Sequence, residues 1–132
     1  YLGRPETDQV RGMAMSMLGN GLSAAKYHED ALSVQVAELS VERRLGAPVE
    51  LILGMQSNIA ATLRLIGREE EASPMLRDVY SGFLKLKGME EERTLVASNN
   101  YADSLVTLER CEEAKSLMRN VMPVARRVLG ES

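Results

Sequence analysis

Apolar positions recur at helical spacing in successive blocks along the chain. Between residues 47 and 88, Leu53, Asn58, Ile59 and Leu63 form one stripe, Gly67 interrupts it, and Ala72, Met75, Leu76, Val79, Phe83 and Leu86 form another. Such spacing predicts a helix, a turn and a second helix. The arrangement returns between residues 89 and 130, with Leu95, Tyr101, Ala102 and Leu105, then Ala114, Leu117, Met118, Val121, Ala125 and Val128. The same face is apolar in both units. Before residue 47 the pattern is less regular: Met15, Leu18, Gly19 and Leu22 fit only if one residue is deleted in a turn before Lys26, and Asp30 stands where Ala72 and Ala114 stand. A hairpin is expected there too, as the irregular member.

Two landmarks set the period. Leu2-Gly3, Leu45-Gly46, Lys87-Gly88 and Leu129-Gly130 fall 43, 42 and 42 residues apart, each placing a glycine just past a helical pattern. Inside each unit, Lys26-Tyr27-His28-Glu29, Arg68-Glu69-Glu70-Glu71 and Arg110-Cys111-Glu112-Glu113 recur at 42-residue steps. Internal periodicity of this length signals a repeat array. We therefore expect one domain of three helix-turn-helix units, at about 4–46, 47–88 and 89–130, with about six helices. Charge agrees: Glu69 to Glu71 and Glu90 to Glu92 precede or open helices, whereas Arg43, Arg44, Lys85, Lys87, Arg126 and Arg127 fall in last turns, as the helix dipole favours. Pro74 falls near a helix start, where proline is tolerated. Pro123 falls inside the last helix and predicts a kink near Arg119 to Pro123.

Composition narrows the class. With 45% hydrophobic and 27% charged residues in 132, the chain suits one folded domain. Its longest uncharged stretches, such as Leu51 to Leu63, fall short of the ~20 apolar residues of a membrane span. A secretory signal is not evident, and a first residue of Tyr1 reads as a segment of a longer protein. Cys111 is the only cysteine, which excludes an intrachain disulfide and fits a cytoplasmic setting. The net charge of -3 comes from interspersed residues, with no basic stripe for nucleic acid. Five aromatic residues and eight Met imply a core of Leu, Val, Ala and Met. Met13, Met15, Met17, Met118 and Met122 are read chiefly as core filling.

Gly67-Arg68-Glu69-Glu70-Glu71-Ala72 resembles the tetratricopeptide signature. The 42-residue period, Asn-Asn-Tyr-Ala at 99–102, Glu-Ala-Ser-Pro-Met-Leu at 71–76 and the terminal Arg-Val-Leu-Gly are most similar to kinesin light chain repeats. The His-Pro usual between such repeats is missing after Gly46 and Gly88, and the turn Tyr survives only as Tyr27. The resemblance implies an all-α, right-handed α-solenoid of antiparallel hairpins whose first helices line a concave groove. Groove positions would be Met13, Ser16, Asn20, Ser23 and Ala24, then Gly54, Ser57, Ala61, Arg64 and Leu65, then Val96, Asn99, Asp103, Val106 and Thr107. Asn side chains donate and accept together, which suits an extended peptide. Asn20, Ser57, Arg64, Asn99 and Asp103 are the groove candidates, with Arg64 and Asp103 favoured because a charge resists a purely interior role. Some relatives clamp a carboxylate with Lys and Arg of the first helices, but Gly12 to Leu22 and Leu95 to Leu105 contain neither.

Chemistry for catalysis is not assembled. His28, the only histidine, lies beside Glu29 and Asp30 at an expected exposed helix start without matching metal ligands. Cys111 stands at a helix start without a histidine base nearby. Gly19-Asn20-Gly21 lacks the Lys-Ser or Lys-Thr of a phosphate loop. No enzyme, cofactor, metal, nucleic acid or membrane is expected. The leading reading is a scaffold that binds a peptide or protein segment in its groove. The alternative is a structural spacer that forms homo-oligomers through uncapped end helices. The last helix is apolar over roughly 160° between Ala114 and Leu129, wider than one neighbour needs, and Val121, Met122, Val124 and Leu129 are the candidates for that face.

Overall fold

The computed structural model describes residues 21–130. Among them are five helices and no strand: α1 (Gly21–Arg44), α2 (Val49–Ile66), α3 (Glu69–Lys87), α4 (Glu92–Thr107) and α5 (Cys111–Val128). Each helix packs mainly on its neighbours in sequence, α1 on α2, α2 on α3, α3 on α4 and α4 on α5. Repeat proteins owe their stability to such nearest-neighbour stacking. The expected sixth helix, with Met13, Met15, Met17 and Asn20, falls outside the described residues.

The helix ends repeat at the level of single hydrogen bonds. After α2, Gly67 takes φ 90°, its N–H donates to Arg64 C=O at 3.0 Å, and Arg68 N–H donates to Leu63 C=O at 2.8 Å. After α4, Glu109 takes φ 62°, its N–H donates to Val106 C=O at 2.9 Å, and Arg110 N–H donates to Leu105 C=O at 2.8 Å. Both are Schellman closures, which satisfy the carbonyls a helix end would otherwise orphan. The residue after each closure then grips the next helix: Arg68 forks onto Glu71 and Arg110 onto Glu113, the latter at 2.7 and 3.1 Å. Gly46, Gly88 and Gly130 also have positive φ, in register with the 42-residue period.

The first unit departs from this plan. α1 runs unbroken through Lys26-Tyr27-His28-Glu29, so the turn expected before Lys26 does not form. Ala25 occupies the position held by Gly67 and Glu109, and alanine favours the helix over the left-handed region more than any other residue. Lys26 accordingly pairs with Asp30 one helical turn on, at 3.3 Å, not with Glu29. His28 lies inside a helix, half-buried, with Tyr27 edge-on at 5.5 Å, and does not mark a helix start.

One core cluster joins α1 to α3 through Leu32, Leu39, Ile59, Ala60, Leu63, Ala72 and Leu76. A second joins α2 to α4 through Leu53, Val79, Phe83 and Ala97. Each large aliphatic side chain buried here contributes roughly 1.5–3 kcal/mol. Asn58, placed by its spacing on the apolar stripe, is instead exposed, and Leu86 is 47% exposed. α5 runs through Pro123 to Val128 without interruption. Among the described residues no helix is long and apolar enough to cross a membrane.

Candidate protein-interaction groove

α2 and α4 are the first helices of the two complete hairpins, and residues 42 apart occupy matching places on them. Between them lies a cleft of 450 Å³. Gly54, Ser57 and Asn58 form one wall, Val96, Ala97 and Asn100 the other, and Val79 and Phe83 of α3 the floor. Glu91, Glu92 and Arg93 stand at one end. Asn58 and Asn100 are matching residues of the two hairpins. Neither side-chain amide hydrogen-bonds to another described residue, so both donate and accept freely toward the cleft.

The sequence candidates separate in space. Ser57 lines this cleft and is half-buried. Asn99, its counterpart on α4, is exposed and lines a different recess beyond α4. Arg64 and Asp103 do meet, but as each other's partners: Arg64 Nη2 donates to Asp103 Oδ2 at 2.9 Å. Arg64 Nε sits 2.7 Å from Glu69 Oε2, an ion-pair contact off the line of its N–H, and Ser104 Oγ donates to the same carboxylate at 2.6 Å. Burial opposes charge on Arg64, yet the Asp103 and Glu69 carboxylates outweigh it and hold the guanidinium pKa above its ordinary value. Arg64 and Asp103, the favoured groove candidates, are thus paired with each other. Arg64 fastens α2 to α3 and α4.

A second inter-hairpin cluster lies at the other end of the same helices. Glu50 of α2 receives Lys87 Nζ at 2.6 Å and Arg93 Nη1 at 3.0 Å, and these two partners lower its pKa. Arg93 also lies over the Phe83 ring at 5.7 Å, an added cation–π contact. Arg93 is therefore engaged by Glu50, Glu91 and the Phe83 ring.

The recess lined by Asn99 occupies the place in the α4–α5 hairpin that the α2–α4 cleft occupies in the hairpin before it. Val96, Asn99, Val121 and Ala125 match Gly54, Ser57, Val79 and Phe83 at 42-residue steps. Its volume is 370 Å³, and Glu92, Leu95, Ser98, Met118, Met122 and Leu129 complete its lining. Val121 is its floor, 2% exposed, whereas Met122 and Leu129 are 39% and 60% exposed at its mouth. Val124 is half-buried and stands outside the lining.

Cys111 opens α5 and is exposed. Among the described residues no three His, Cys, Asp or Glu side chains gather closely enough for a metal ion. Sequence spacing missed Asn58 because it adjoins Ile59 on the edge of the apolar stripe. Its 42-residue match to Asn100 was the available signal.

The tetratricopeptide repeat family matches residues 94–132, which contain α4 from Thr94 onward and all of α5. No curated protein and no solved structure matches the chain.

Proposed function

We propose that this chain is a protein-interaction scaffold, a three-unit right-handed solenoid of the long, kinesin light chain-like repeat type, that holds an extended segment of a partner in the α2–α4 cleft. Tetratricopeptide repeats generally mediate protein–protein interaction, and the match to that family supports binding over catalysis. The observation that carries the proposal is the pairing of Asn58 with Asn100 across an apolar floor of Val79 and Phe83, their amides uncommitted. Amides on the two walls suit main-chain N–H and C=O groups, and the floor suits an apolar side chain between them. Ser57 would add a hydroxyl on the same wall.

Selection of a random peptide library on the 132-residue chain, followed by titration of the selected peptides, tests this. The double variant Asn58→Ala/Asn100→Ala is expected to bind them at least about tenfold more weakly, one net hydrogen bond being worth about 1 kcal/mol. Its circular dichroism should be unchanged, since both side chains lack intramolecular partners among the described residues. Equal affinity of the double variant sinks the cleft assignment.

A further inference from the structure

Among the described residues, the α4–α5 recess is an uncovered apolar surface, and a second lies on α1. There, Val34, Ala37 and Val41 of α1 face out beside Leu51 and Met55 of α2. By the 42-residue register these three match Leu76, Val79 and Phe83, all buried in α3. In α1 the buried positions are Leu32 and Leu39, whereas Val34 and Val41 are 56% and 41% exposed. α1 thus turns a stripe of core character outward. The α4–α5 recess has the complementary form. In the preceding hairpin the equivalent seat is walled on one side by α4, which packs Ala97 against Val79 and Phe83. The α4–α5 hairpin presents that seat open.

Charge is complementary along the α5 side of the recess, away from Glu92 on α4. Glu38 and Glu42 border the α1 stripe. Arg119 and Arg126 lie three residues before and four after Met122, on its side of α5. None of the four forms an ion pair with another described residue.

We propose that a second copy of this chain docks here head to tail, with its α1 stripe seated in the α4–α5 recess and Glu38 and Glu42 facing Arg119 and Arg126. Because the two surfaces differ, each copy retains one of each, and the contact propagates to a ring or an open filament. The proposal is independent of the α2–α4 cleft, which it leaves open.

Sedimentation of the 132-residue chain should show mass rising between about 10 µM and 1 mM, the range for a patch this small, and less so at about 0.5 M salt. Glu38→Arg/Glu42→Arg and Arg119→Glu/Arg126→Glu, each checked by circular dichroism, should each weaken self-association at least about tenfold. An equimolar mixture of the two should regain assembly, since the unchanged faces pair with each other and the two reversed faces, Arg on α1 and Glu on α5, are complementary again. Met122→Lys offers a second way to close the recess. A strict monomer across that range overturns the proposal, whether residues 1–20 of the same chain or a foreign partner covers either face. So does assembly lost by the α5 variant but retained by the α1 variant, which would mean that the recess pairs with itself.

Discussion

Glu109 shows how one residue position controls the hairpin. It adopts φ 62° where Gly67 adopts φ 90°, with the same hydrogen bonds around it. The left-handed region costs an L-residue roughly 1–2 kcal/mol, and glycine gives back part of that through its own loss of freedom. Glu109→Gly should therefore stabilise the chain by about 0.5–1 kcal/mol. A Cβ at position 67 would meet nothing within 4 Å, so Gly67→Ala isolates the backbone penalty, about 1 kcal/mol of destabilisation. Urea titrations with unchanged slopes and opposite midpoint shifts would bear out both. Ala25 completes the series: a residue with no tendency toward positive φ stands at the same place, and the helix runs on.

At the scale of elements, the two hairpins exchange large and small residues at adjacent positions. In α3, Gly82 lets Leu53 approach so closely that an added Cβ would lie 2.6 Å from its Cδ2, and Phe83 fills the space beside it. In α5 the same two places hold Val124 and Ala125. The missing ring at 125 accounts for part of the 370 Å³ recess. Ala125→Phe should place a ring there and raise stability by about 1 kcal/mol, less than a fully buried ring because the mouth is open. A higher urea midpoint together with weaker self-association is the expected pair of readings. A fall in stability would show that Val124 leaves the ring no room.

Across the whole molecule, the hairpins are joined by apolar contact between them and by two polar clusters at opposite ends of α2. In the first, Arg64 neutralises Glu69, whose side chain is only 14% exposed. Arg64→Met would leave that carboxylate with the Ser104 hydroxyl as its remaining partner, at a cost of about 1–2 kcal/mol. Thermal unfolding at neutral pH measures it. In the second, Lys87 and Arg93 depress the Glu50 pKa below its ordinary 4.5. A carboxyl with a lowered folded-state pKa stabilises above its unfolded value, and the contribution is lost as pH falls through the folded value. Glu50→Gln should thus lower the melting temperature modestly near neutral pH, and the gap from the parent chain should close as pH falls through the lowered Glu50 value. The site is solvent-exposed, so high salt should shrink the gap at every pH.

The 42-residue register, the helices and the ends of the two complete hairpins could be read from the chain, because their causes are local. Glycine past a helix end, an Arg reaching a Glu three residues on and a helical apolar stripe all act within a turn or two. Asn58 and Arg64 could not be read that way. Asn58 borders the buried Ile59, and only the closing of α4 over α3 shows that its side of α2 faces a cleft. Arg64 is paired because packing brings Asp103, 39 residues away, to 2.9 Å. Residue order by itself determined which segments coil and where they stop. Tertiary structure decided which polar side chains remain uncommitted, because distances between helices depend on how side chains from separate turns interlock and not on the spacing within either helix.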